Sequence, residues 1–189
     1  MKVIGFTGNY GTVETDSQCY LMADSSILYT GRPFFVPDFA KRFVATPTIV
    51  VRTGRLGKCI AAKFAHRYWD AFTAGVSVQA VESDNAALGA LDRAFDGAVI
   101  VGDWMPASED ALHAPVEIRV GEQVLSCRCL ADMVLPLDEM LAAVSTRCSI
   151  KMGDLLLTGD AGDGHVLAVG DRLTACIGDR QVLDVKVRL

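Results

Sequence analysis

Thr46 and Thr48 flank Pro47 at the head of a β-branched run, Thr48 to Arg52. Such a run predicts a buried strand, and period-two spacing puts both hydroxyls on one face of it. A second strand is predicted from Val76 to Val81, with Val76, Val78 and Ala80 on one face and Ser77, Gln79 and Val81 on the other. Hydroxyls are neutral and are weak ligands for a hard cation. Asp160-Ala161-Gly162-Asp163-Gly164-His165 sets two carboxylates and a histidine in a Gly-rich loop. That loop is either a cation site or a solvated turn between strands. Ser145 lies near a helix end with no Gly-x-Ser-x-Gly elbow, which argues against a serine-hydrolase triad. His66 reads as a surface histidine on a helix, and His113 lies in a polar loop.

The six cysteines are Cys19, Cys59, Cys127, Cys129, Cys148 and Cys176, none in a C-x-x-C pair. Ligand spacing for structural zinc is absent. Reduced thiols acting as small core residues are expected, with Cys59 and Cys148 as candidates for a reactive thiol. Cys127 and Cys129, two apart in a strand-like segment, are expected on one face. Trp69 and Trp104 read as packing or dimer-interface residues.

The elements that must position these residues are many and short. Phe43 to Val81 is read as strand, turn, helix and strand. Ile60, Phe64, Tyr68 and Phe72 recur every four residues and predict a helix from Ile60 to about Phe72, ended by Gly75. Ser83 or Asp84 would cap a short Ala/Leu-rich helix, and Pro136 to Arg147 predicts another with Pro in its first turn. Met105 to Ala114 reads as a polar loop. Strands are expected at Lys2–Phe6, Cys19–Met22, Ile27–Tyr29, Phe34–Val36 and Ala98–Val101. Val116–Val120 with Gln123–Cys129 should form a hairpin. Closing strands are expected at Ile150–Leu157, Val166–Leu167, Arg172–Ile177 and Val182–Leu189. Many short strands without βαβ alternation predict an α+β domain, a mixed, mostly antiparallel curled sheet or β-roll with two or three helices.

A chain of 189 residues fits one domain with a single substantial core. It is 51% apolar and 22% charged, the balance of a compact soluble protein. The net charge is −5 with no Lys/Arg block, so there is no electrostatic footprint for nucleic acid. No apolar run approaches the ~20 residues of a spanning helix. The start, MKVIGF, is strand-like and lacks a secretory h-region, so a cytoplasmic protein is expected.

Ser145 to Gly159 reads STRCSIKMGDLLLTG, and VGDRLTACI follows from Val169. This resembles the fumarylacetoacetate hydrolase family, whose members carry a Ser, then Gly-Asp-(Leu/Ile)-Ile-x-Thr-Gly-Thr-Pro, then a second Gly-Asp. Gly54-Arg55-Leu56-Gly57-Lys58, Ala65-His66-Arg67-Tyr68, Arg93-Ala94-Phe95-Asp96-Gly97, Pro33 to Phe39 and Asn9-Tyr10 resemble a short bacterial branch of it. The resemblance spans nearly the whole chain in order. It implies a homodimeric mixed β-roll and a Mg²⁺ or Mn²⁺ ion binding a small 2-keto or 1,3-diketo acid. It also implies C–C hydrolysis, decarboxylation or isomerisation. The ion would polarise the keto oxygen and stabilise the enolate.

Where the family places Glu-x-Glu, this chain has Thr46 and Thr48, and where it places the third ligand, an Asp, it has Ser77. The Arg-Asp that follows is Val81-Glu82. The Lys before Ala-Phe-Asp-Gly is Arg93, an early pocket Lys-Pro is Met22-Ala23, and Thr-Pro after Thr158-Gly159 is Asp160-Ala161. Val13 stands near the expected lid histidine, and the segment from Val81 to Arg93 is shorter than usual. The resemblance thus implies a pocket of Thr46, Thr48, Ser77, Gln79, Arg93, Asp96, Thr158, Gly159 and Asp160, with Asp103 nearby. No metal-dependent catalysis is expected there and no cofactor, because the ligands for Mg²⁺ or Mn²⁺ are missing. The first reading is a small-acid-binding or non-catalytic homologue that keeps the homodimer. The alternatives are an active keto-acid enzyme whose metal is recruited by Asp96, Glu82 or Asp160, and a purely structural role.

Overall fold

The computed structural model describes residues 1–11, 18–108 and 110–189. The Val13 position therefore lies outside the described residues. The strands are β1 Lys2–Phe6, β2 Cys19–Ala23, β3 Ile27–Tyr29, β4 Phe34–Phe35, β5 Ala40–Thr53, β6 Trp69–Ser83, β7 Val99–Val101 and β8 Met105–Pro106. They continue as β9 Val116–Val120, β10 Gln123–Arg128, β11 Leu155–Leu157, β12 His165–Val166, β13 Arg172–Ile177 and β14 Arg180–Arg188. Two α-helices are described, α1 Ala62–Ala65 and α2 Leu137–Arg147.

Nine strands form one sheet, ordered β2-β1-β11-β5-β6-β7-β3, with β12 added to β5 and β8 to β6. Five form the other, ordered β10-β9-β13-β14-β4. Most pairings are antiparallel. The parallel ones are β1 with β11, β3 with β7 and β14 with β4. This is the mixed, mostly antiparallel α+β architecture the sequence predicts.

Two apolar layers hold it. The larger contains Ile4, Ile49, Val51, Val76, Val78 and Ile100 from the first sheet, Ile118, Leu173 and Val185 from the second, and Met140 and Leu141 from α2. The smaller contains Val3, Met22, Val50, Val99, Val101, Leu155 and Leu157. Val3 and Ile4, or Val50 and Val51, are neighbours in sequence but belong to different layers, because successive side chains of a strand point to opposite faces. The nine-stranded sheet is therefore apolar on both faces.

The expected long helix from Ile60 is not formed. Only Ala62–Ala65 is helical, and β6 begins at Trp69. The every-fourth apolar pattern lost to the ladder with β5, in which Phe72 faces Val51 and Ala71 faces Arg52. Phe64, at the centre of the supposed apolar stripe, is 43% exposed. Gly75 ends no helix. It lies in mid-strand opposite Thr48, where a Cβ would collide with the Val50 side chain. The Ala/Leu-rich segment forms only a 3-10 helix, Ala86–Leu91, and its cap is Asn85, whose Oδ1 accepts from Ala87 N–H at 3.1 Å. The supposed polar loop contains β8 and a 3-10 turn, Ala111–His113. Helix α2 forms as expected, with Asp138 and Glu139 in its first turn. None of the six cysteines is fully buried: Cys19, Cys59 and Cys127 are exposed and the others half-buried, with Cys148 packed against the larger layer. Cys129 lies beyond the end of β10, at the start of a 3-10 turn, and so does not continue the face of Cys127. Among the described residues no helix is long and apolar enough to cross a membrane.

Candidate functional site

The three hydroxyl residues do share one place. Thr46 pairs directly with Ser77 across β5 and β6, and Ser77 continues to Val99 and Ile27 along one row of the sheet. Thr48 pairs with Gly75, and that row runs on to Val101 and Tyr29. Directly opposed residues have Cβ atoms about 4.5–5.5 Å apart. Thr46 is half-buried, while Thr48 and Ser77 are 2% and 3% exposed.

Tyr20, which sequence reasoning did not single out, closes this floor. It pairs with Gly5 across β2 and β1. Its hydroxyl lies 3.4 Å from Ser77 Oγ, the two hydroxyls sharing one hydrogen bond. β2 and β6 are four strands apart, which would be roughly 19 Å in a flat sheet at ~4.8 Å per strand. The contact therefore requires the sheet to curl inward on this face. Gly5 is what admits the ring: a Cβ there would lie 2.6 Å from the Tyr20 hydroxyl oxygen and nearer still to the ring carbons. Arg93 then covers Tyr20, with its guanidinium 5.5 Å from the ring centroid, a cation–π stack. Met22, where the resemblance places a lysine, is buried in the smaller apolar layer. Trp104 packs on the same layer beneath Arg52, whose guanidinium is 5.1 Å from the ring centroid.

Of the other pocket candidates, Gln79 stays on this face and the rest lie elsewhere. Gln79 keeps the face of Ser77, one pair further along β6, opposite Val44. Thr158, Gly159 and Asp160 knit the chain to its first turn. Thr158 Oγ1 donates to Ile49 O at 2.9 Å, so the Tyr10 hydroxyl is the donor in the 2.8 Å bond between them. Burial raises the Tyr10 hydroxyl pKa far above its ordinary value; the Thr158 hydrogen bond opposes, and the charges of Asp132 and Cys129 add to the rise. Asn9, at φ +75°, donates from Nδ2 to Thr158 O at 2.8 Å. Gly159, at φ +128°, lies so close to Gly8 O that no side chain fits.

Asp160 N–H donates to Gly8 O at 2.8 Å, and its carboxylate accepts from Gly8 N–H at 3.1 Å. With Asp163 and Arg128 it borders a separate cavity of about 480 Å³. His165 does not join those carboxylates; its Nε2 is 3.0 Å from Asp171 Oδ2. Asp96 is not at the floor. It is exposed and borders a groove beside Asp84 and Asp92. Glu82 is engaged by Lys41 and Arg42 at the far end of β6. Asp103 is exposed, and its main chain accepts from Thr73 Oγ1. Ser145 is buried and structural, donating to Ala142 O and accepting from Ile60 N–H. His66 is exposed and near Asp138, whose carboxyl burial pushes up while His66 opposes and Glu139 adds.

Mg²⁺ and Mn²⁺ take hard, preferably anionic oxygen ligands. Three neutral hydroxyls surrounded by Val50, Val99 and Val101 do not fit such an ion. Among the described residues no group of three or more His, Cys, Asp or Glu side chains converges to hold a metal. What the floor holds is the single Tyr20–Ser77 hydrogen bond beneath the Arg93 cation, with Thr46 paired opposite Ser77.

Known proteins give the floor its context. No curated protein matches the sequence. A 5-carboxymethyl-2-hydroxymuconate delta-isomerase from Mycobacterium smegmatis superposes with a TM-score of 0.87 at 19% identity, covering 99% of this chain and 78% of that one. A 2-hydroxyhepta-2,4-diene-1,7-dioate isomerase from Mycobacterium marinum gives 0.84 at 20% identity, covering 99% and 74%. A fumarylpyruvate hydrolase from Pseudomonas aeruginosa, solved with Mn²⁺ and pyruvate, gives 0.85 at 16% identity, covering 100% and 90%. These identities establish a shared fold. The sequence itself matches the model of the fumarylacetoacetate (FAA) hydrolase C-terminal domain from residue 8 to residue 188. A match of that extent, joined to the curled sheet and the Thr158-Gly159 turn tied to Asn9, means that the chain belongs to the fumarylacetoacetate hydrolase family.

Proposed function

We propose that this chain is a non-catalytic member of its family, with the metal floor replaced by a second apolar layer closed by Tyr20. The observation that carries this reading is the Tyr20–Ser77 contact. It fills the floor with protein at the place where the chain also lacks carboxylates. A small organic acid is the ligand class proposed for what remains, since Arg93 is a cation paired with no carboxylate among the described residues. A cytoplasmic homodimer is part of the same proposal.

The test is metal analysis and turnover on the purified protein. Calorimetry should show no tight Mg²⁺ or Mn²⁺ binding, and oxaloacetate and acylpyruvates should not be turned over above background. Stoichiometric metal whose removal by a chelator abolishes turnover would sink the reading. A complementary variant, Thr46→Glu/Thr48→Glu/Ser77→Asp with Tyr20→Ala to open the floor, should gain metal affinity. Its Tm should rise with added Mn²⁺ while that of the parent stays unchanged. If it gains none, these positions do not correspond to the family's ligands.

A further inference from the structure

On the other face of the sheet a groove of about 790 Å³ runs between β1, β2 and α2. Ile4 and Phe6 of β1 form one wall, Leu21 of β2 the rim, and Ala143 and Val144 of α2 the opposite wall. Ile4 belongs to the larger apolar layer, so this space lies across the sheet from the floor of Thr48 and Ser77. The volume falls in the ~300–1,000 Å³ range of small-molecule sites, and the walls are apolar in the manner of such sites. It stays open because the helix presents Ala143 here, and because β2, at the sheet edge, leaves Leu21 62% exposed.

Among the described residues lining the groove, the one ionised side chain is Arg147, in the last turn of α2. Its guanidinium makes only long contacts, 3.5 Å to Ala143 O and 3.3 Å to Thr146 Oγ1, and among the described residues it has no carboxylate partner. A single cation at an apolar groove is complementary to a molecule with one anionic head and a hydrocarbon body. A guanidinium recognises a carboxylate with two parallel hydrogen bonds. We infer that the groove between β2 and α2 binds a free amphiphilic carboxylic acid, with Arg147 holding the carboxylate and Ile4, Phe6, Leu21 and Val144 the chain.

Two cysteines in the groove make the test local. Cys19 and Cys148 line it, whereas Cys59 and Cys127 are exposed outside it. Burial raises the Cys19 thiol pKa although the residue as a whole is exposed; Cys148 adds to the rise and Arg147 opposes it. Alkylation is therefore followed at a fixed, mildly alkaline pH, by peptide mass spectrometry, with decanoate below its micellar concentration as the probe. Decanoate is expected to slow alkylation of Cys19 and Cys148 severalfold and leave Cys59 and Cys127 unchanged. Decanol and decyltrimethylammonium should protect far less. Arg147→Gln should weaken decanoate binding about tenfold, as expected for losing a hydrogen bond to a charged group. Ala143→Leu, at an exposed helix position, should abolish protection by filling the groove while Arg147 remains. Equal protection by decanol, or an unchanged affinity in Arg147→Gln, would overturn the inference. So would protection that follows protein concentration and ignores decanoate, which would assign the groove to a second copy of the chain.

Discussion

A methyl group on Gly5 and the ring of Tyr20 cannot occupy the same space. Gly5→Ala should therefore push Tyr20 off Ser77 and cost about 1–3 kcal/mol, the usual penalty for overpacking. In Tyr20→Ala the ring is gone, so the added methyl should cost far less. A double-mutant cycle by denaturant unfolding is expected to show strong coupling between the two positions. Additive effects would mean that the ring does not depend on the missing side chain. At this scale the sequence was only partly legible. Period-two spacing put Thr46 and Thr48 on one face; that Ser77 lies opposite Thr46 follows from the register of β5 with β6, which the spacing alone does not give. It could not reveal Tyr20, because the contact depends on the curl of a whole sheet and joins residues 57 apart in sequence.

Strands are held in register here by a few polar anchors, one buried and one at the surface. Asp154 is fully buried; its carboxylate accepts from Lys2 N–H at 3.0 Å, from Lys151 N–H at 2.7 Å and from the Lys2 ammonium. It thereby fastens the start of β1 to the turn before β11. Asp154→Ala should cost roughly 1.5–3 kcal/mol, the range for hydrogen bonds to a charged group, measured as a lower urea midpoint. A second anchor lies in the β13–β14 hairpin. Arg172 Nε and Nη2 donate to the two carboxylate oxygens of Asp184, at 2.7 and 2.6 Å. Those hydrogen bonds hold the Asp184 carboxyl below its ordinary value, partial burial opposes, and the charges of Arg172 and Lys186 add to the depression. A depressed folded pKa gives stability that is complete above the unfolded value of about 3.9 and is lost as pH falls through the folded one. The Tm deficit of Asp184→Asn should thus be constant from neutral pH down to that value and shrink below it. A deficit that persists once both states are protonated would assign the effect to packing. Among the closing strands, Arg172–Ile177 and the final strand were legible because alternation and Gly-Asp turns are local signals, whereas the expected Ile150–Leu157 strand forms only at Leu155–Leu157, after the turn at Gly153. The fate of the helix from Ile60 was not legible, because a local repeat says nothing of a partner strand twenty residues away.

Over the whole molecule, fold and chemistry separate cleanly. β5 and β6 carry the larger core on one face, through Ile49, Val51, Val76 and Val78, and the hydroxyl floor on the other. Residues on the hydroxyl face can change without touching the packing on the opposite face, so the fold stays readable across the chain whatever the hydroxyl face carries. The same layout makes the molecule depend on joining its ends. β1 takes β11 along one edge, Asn9 takes Thr158, and Gly8 takes Asp160, each bond spanning about 150 residues. A chain ended at Ile150 should lack this closure and be digested by a nonspecific protease under conditions that leave the full chain intact; equal resistance would show that the remaining strands close without it. During synthesis the same edge of β1 must wait. At ~5–20 residues per second, Leu155 is added roughly 8–30 s after the first strand, and for that interval Val3, Ile4 and Phe6 face the cell unclosed. Parallel pairing of the first strand with one near the end thus makes the nascent chain a client for whatever shields apolar edges at the ribosome.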